Sequence, residues 1–94
     1  MSEIKVCRVH HTTLKRARKG AENIAEELGE EFGLDHEWED NTLRFHRMGV
    51  AGHIEVGKME VEIYVKLGFL LMALGPRIES EINRFCDEHF GPVG

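Results

Sequence analysis

Histidine and cysteine have the widest chemical reach of the residues in this sequence, and their spacing decides what chemistry they can do. His10 and His11 are adjacent, so on a strand they point to opposite faces and cannot chelate together. His46 and His53 project from the wet face of neighbouring strands, directly opposite or one diagonal step apart. Two histidines without a third convergent ligand make at most a weak metal site. Cys7 and Cys86 lie far apart and read as buried free thiols rather than a disulfide. Ser2 and Ser80 are the only serines, one near the terminus and one on a helix with no nucleophile turn beside it. The glycines form no phosphate-cradling run. Glu37, Glu39, Glu55 and Glu62 can pair on an open sheet face, where solvation leaves carboxylates near their ordinary acidity and poorly suited to acid–base work. The expectation is a protein with no catalytic residues, no cofactor and no metal, and so not an enzyme.

Two other stretches could bind rather than react. Lys15, Arg16, Arg18 and Lys19 crowd the start of a long helix, while Glu22, Glu26, Glu27, Glu30 and Glu31 crowd its end. This order opposes the helix dipole, which favours acid first and base last. Arg18 and Glu22 can offset part of it as an i, i+4 pair. With Arg8, His10 and His11 nearby, this basic end is a secondary patch for an acidic partner or an anionic surface. The second stretch is Phe69-Leu70-Leu71-Met72-Ala73-Leu74, six apolar residues between glycines where a polar turn is the default. They either plug the end of the core or protrude as a contact loop, with Phe69, Leu70, Leu71 and Met72 as the binding residues.

The elements that must position these groups follow from length and periodicity. Ninety-four residues with 41% hydrophobic and 31% charged side chains make one globular domain, residues 1–94. A net charge of −5 argues against binding nucleic acid. The short apolar runs predict no transmembrane segment, and the N-terminus lacks the pattern of a secretory signal, so a cytoplasmic protein is expected. Residues 4–9 read as a first strand. A helix follows from about Thr13, capped by Thr12 or Thr13, with Leu14, Ala17, Ala21, Ile24, Leu28 and Phe32 on one stripe and Gly33 as its left-handed cap. Gly20 and Gly29 within it suggest close approach to the sheet.

From His36 to Leu67 the period is two. His36, Trp38, Leu43, Phe45, Ile54, Val56, Val61, Ile63, Val65 and Leu67 share a dry face. Turns fall at Asp40-Asn41, Met48-Gly49 and Gly57-Lys58. Gly75-Pro76 opens a last helix with Ile78, Ile82, Phe85 and His89 inward. The predicted fold is α+β, a two-layer sandwich of order β-α-β-β-β-β-α. Its antiparallel five-stranded sheet, strand order 2-3-4-5-1, has one face covered by two helices in a helix-grip-like shape.

Several segments resemble the small polyhydroxyalkanoic acid system, or granule-region, proteins of bacteria. They are Trp38-Glu39-Asp40-Asn41-Thr42-Leu43-Arg44-Phe45, Gly49-Val50-Ala51-Gly52-His53-Ile54-Glu55-Val56, Leu67-Gly68-Phe69-Leu70-Leu71 and Ile78-Glu79-Ser80-Glu81-Ile82. The Leu-Gly-Phe-Leu-Leu segment ahead of the Ile-Glu-x-Glu-Ile helix is the most specific. The family often has glycine in the turn after Trp-Glu, where this chain has Asp40-Asn41. The resemblance implies a link to polyhydroxyalkanoate storage granules, chiefly through gene neighbourhood, with no established activity, catalytic residue or cofactor.

The expected function is therefore a non-enzymatic accessory protein of granule metabolism, cytoplasmic or on the granule surface. Its partner would be the granule or a coat protein, met through the apolar loop. An alternative is a small module holding an acyl chain in a cavity between sheet and last helix, lined by Trp38, Phe45, Ile63, Val65, Ile82 and Phe85. A third is a homodimer joined through the wet strand face or the loop.

Overall fold

The alternation of apolar and polar residues in the middle of the chain is realised as four consecutive antiparallel strands. The computed structural model describes residues 2–90. Its elements run β1 (Ser2–Val9), α1 (Leu14–Phe32), β2 (Asp35–Glu39), β3 (Thr42–Arg47), β4 (Val50–Val56), β5 (Glu60–Leu67), a 3-10 helix (Phe69–Leu74) and α2 (Gly75–Phe90). The five strands form one antiparallel sheet in the order β1-β5-β4-β3-β2, the order expected from the sequence.

The register puts each predicted face where the alternation requires it. Trp38 lies opposite Leu43, Leu43 opposite Ile54, and Ile54 opposite Ile63, one continuous apolar row on the dry face. On the wet face Glu37, Arg44, His53 and Tyr64 form the matching polar row. Because side chains alternate strictly, a slip of one residue would exchange these two rows, so burial alone fixes the pairing. Phe45 faces Gly52 across β3 and β4, and its ring fills the space above that glycine.

Both helices cover the dry face. α1 buries Ala17, Ala21, Ile24, Ala25 and Leu28, and its alanines let the helix axis approach β2, β3 and β4. α2 lies against β1 and α1, burying Ile78, Ile82, Phe85 and Cys86. Each fully buried branched or aromatic side chain contributes about 1.5–3 kcal/mol. The glycines of α1 serve a different purpose from the one expected. A Cβ at Gly20 would lie 2.8 Å from the Phe90 ring, so Gly20 admits the end of α2 and not the sheet. A Cβ at Gly29 would lie 2.8 Å from the Leu34 carbonyl oxygen, so that glycine makes room for the returning chain.

α1 starts at a side-chain cap and ends at a glycine. The Thr13 hydroxyl accepts from the Arg16 amide at 3.2 Å, and Gly33, at φ 74°, donates its amide to the Gly29 carbonyl. No acidic residue occupies the first turn and no basic residue the last, so the dipole is opposed at both ends, at roughly 0.3–1 kcal/mol per charge. The Thr13 cap is then the main polar stabiliser of the helix start. Thr13→Ala is expected to lower unfolding stability by about 1 kcal/mol, read from the midpoint of a urea titration at unchanged slope.

Candidate functional site

At one end of the sheet, two turns are pressed together by backbone contacts. The Gly68 amide donates to the Gly49 carbonyl at 2.8 Å, which sets the start of the 3-10 helix beside the β3–β4 turn. Gly49 takes φ 87°, and a Cβ there would meet Leu71 Cδ1 at 2.8 Å. Leu71 and Leu74 are half-buried and pack on the core, closing the end of the sandwich. Phe69 is 81% exposed and Met72 39% exposed, while Ala73 is exposed beside them. Met48, in the adjoining turn, is 91% exposed. The side chain of Leu70 lies outside the described residues.

The apolar stretch is thus divided. Leu71 and Leu74 plug the core, and Phe69 and Met72 face outward. Of Phe69, Leu70, Leu71 and Met72, the contact residues expected from the sequence, Leu71 packs inward instead, and Met48 was not among them. Its one sequence signal is a methionine in a two-residue turn where polar residues are usual. Cations rim this end of the molecule. Arg47 donates from Nη1 to the Phe32 carbonyl at 2.6 Å, and Arg77 lies over the Phe32 ring while pairing with Glu31 at 2.9 Å.

The basic cluster sits at the other end of α1. β2 runs back along the helix, so Trp38 meets its early turns. The Arg18 guanidinium lies 4.4 Å from the Trp38 ring centroid, and the indole N–H donates to Glu22 at 3.4 Å. Between them is an open groove of about 790 Å³, walled by Leu14, Lys15, Arg16, Arg18, Lys19 and Trp38. Trp38 therefore stands at the rim of the sandwich and lines this groove. Phe45, Ile63, Val65, Ile82 and Phe85, expected to line an inner cavity with it, are packed into one core cluster.

Arg8 and His10 do not join the basic end. Arg8 is buried on the dry face, bonded from Nη1 to Asp87 at 2.7 Å and from Nη2 to Asn83 at 2.9 Å. His10 is 3% exposed, its Nε2 2.8 Å from the Gly57 carbonyl, while His11 is exposed.

On the wet face, His46 and His53 lie one diagonal step apart, since His46 pairs with Ala51 and His53 with Arg44. The His53 ring stacks on Tyr64 at 5.5 Å. Carboxylates approach it too: ligand atoms of His53, Glu55 and Glu62 lie within 4.8 Å of one another. Glu27, Glu88 and His89 form a similar group between the helices. The sequence placed His53, Glu55 and Glu62 on the same wet face without joining them, and it gave no sign of the second group, whose Glu27 comes from another helix. Cys7 is exposed, contrary to expectation, whereas Cys86 is buried. Desolvation and then Glu60 raise the Cys7 pKa, and burial pushes the Cys86 thiol up to about 11. Thiols held in this direction are weak nucleophiles at neutral pH.

Comparison with protein families gives one match that spans almost the whole chain. The family model described as polyhydroxyalkanoic acid system protein covers residues 4–90. The chain belongs to that polyhydroxyalkanoic acid system family. The match takes in both helices, strands β2 to β5, most of β1 and the Phe69–Met72 segment, so family membership attaches to the sandwich as a whole. No curated protein and no solved structure matches the chain. Among the described residues, no helix is long and apolar enough to cross a membrane.

Proposed function

We propose that this polyhydroxyalkanoic acid system protein is a non-enzymatic accessory factor that docks on the surface of cytoplasmic polyester granules. Phe69, Met72 and Met48 make the contact. The observation that carries this reading is the outward display of Phe69 and Met48 on two turns held together by the Gly68–Gly49 hydrogen bond. Large apolar side chains at turn tips cost solubility unless they meet an apolar surface. A storage polyester offers such a surface, and the rim cations Arg47 and Arg77 suit its hydrated boundary. Leu71 acts as the strut beneath the tip.

The test is partition between washed granules and cytosol in a polyhydroxyalkanoate-accumulating bacterium. Met48→Glu with Phe69→Glu leaves the buried strut intact, so the variant should melt within a few degrees of the parent. Burial of an apolar side chain yields about 1.5–3 kcal/mol, so losing both should cut the granule-to-cytosol ratio at least about tenfold. A variant that partitions like the parent would refute the proposed contact. Parent protein found wholly in the cytosol would refute granule docking itself.

A further inference from the structure

We infer that the groove between the first turns of α1 and Trp38 binds an amphiphilic organic anion, a fatty carboxylate in its simplest form. The inference stands apart from granule docking. Groove and apolar tip lie toward opposite ends of α1, whose 19 residues span about 28 Å.

Charge is the first argument. Among the described residues Arg8, Arg44, Arg77 and Arg84 each pair with a carboxylate, and the other lysines and arginines form no ion pair; of these, four fall within the five residues 15–19. Lys15, Arg16 and Lys19 have no ion pair among the described residues, and Arg18 rests on an indole instead. Glu22, the acid in the groove wall, accepts from the Trp38 indole. Four cations are thus concentrated in five residues at the positive end of a helix dipole, with no acid in the first turn. A bound anion would satisfy both the side chains and the dipole.

Shape and lining are the second argument. The groove, about 790 Å³, is of a size typical for small-molecule sites. Half-buried Leu14 and Trp38 give it apolar walls, which the aliphatic stems of Lys15 and Lys19 extend. An inorganic ion would leave those walls wet, and an uncharged alkane would leave the cations unpaired. A carboxylate head with an alkyl tail uses both. Stacking on Trp38 holds the Arg18 guanidinium in place before any ligand arrives, which lowers the ordering cost of binding.

Trp38 is the sole tryptophan, so intrinsic fluorescence reports directly on the groove. The full chain would be titrated with decanoate below its micelle concentration, and in parallel with decanol and with inorganic phosphate. Decanoate should give a saturable change in Trp38 emission, with decanol and phosphate each at least about tenfold weaker. Arg16→Gln with Lys19→Gln leaves the Arg18–Trp38 stack in place. It should weaken decanoate binding at least about tenfold at an unchanged melting temperature. A flat decanoate titration would overturn the inference. So would equal binding of decanol, equal binding of phosphate, or a double variant that binds as the parent does.

Discussion

Gly52→Ala is expected to be the most damaging single methyl group that can be added to this protein. A Cβ at position 52 points into the dry face, 2.6 Å from Phe45 Cε2 and closer still to the Tyr64 carbonyl oxygen. The ring can shift, but the oxygen belongs to β5, an interior strand paired on both sides, and moves only if the β4–β5 ladder opens. Overpacking of this kind costs about 3 kcal/mol, a large share of the roughly 5–15 kcal/mol that holds a domain together. The melting temperature should fall by roughly 12–24 °C for a chain of this length. Adding Phe45→Ala to the variant should restore little, because the clash with Tyr64 remains and the core loses its largest fully buried side chain. Gly52→Ala melting within two or three degrees of the parent would contradict the close approach of the Tyr64 carbonyl to Gly52.

The second large effect concerns the clamp between β1 and α2. Arg8 occupies a position that alternation assigns to the dry face, after Ile4 and Val6, and it is only 8% exposed. Asp87 and Asn83 reach it from α2, with the Asp87 carboxylate 2.7 Å from Arg8 Nη1. The Asp87 side chain is itself 51% exposed, so its carboxylate is well hydrated and screening reduces what the pair is worth. The asymmetry still favours a measurable loss. Asp87→Ala removes a charge partner from a nearly buried guanidinium and should cost about 1–3 kcal/mol. Arg8→Met combined with Asp87→Ala should recover part of that, since an apolar chain of similar length suits the surrounding core. A double variant less stable than Asp87→Ala would show that the guanidinium is held chiefly by its other contacts, and would contradict the clamp.

The same residues show how far the sequence carries the fold. Period-two patterning from His36 to Leu67 was enough to give four strands, their faces and the Asp40-Asn41 hairpin, because burial of one face determines register. Thr13 and Gly33 marked both ends of α1, since capping depends only on neighbouring residues. Arg8 was misjudged for the opposite reason. Its charge looked like solvent exposure, and the partners that permit burial lie far along the chain on α2.

Trp38 was read as an inward cavity residue because alternation gives its face but not its depth. At β2, an edge strand, that face meets the rim where α1 leaves a groove. Met48 and Phe69 stand next to the two glycines joined by the Gly49–Gly68 backbone bond, so their joint display could not be read from either segment alone. Leu71 shows the converse. It lies within one apolar run with Phe69, yet packing against Gly49 makes it structural.

The central claim, that the apolar tip binds polyester directly, is tested best with purified components. Particles of protein-free polyhydroxyalkanoate would be incubated with the purified chain, pelleted, and the bound fraction measured against free protein concentration. Saturable co-sedimentation is predicted for the parent, reduced at least about tenfold in Met48→Glu with Phe69→Glu. Arg16→Gln with Lys19→Gln, altered only at the distant groove, should bind the particles as the parent does. Parent protein that stays in the supernatant with bare polymer, yet sediments with native coated granules, would contradict direct binding and assign the contact to a coat protein.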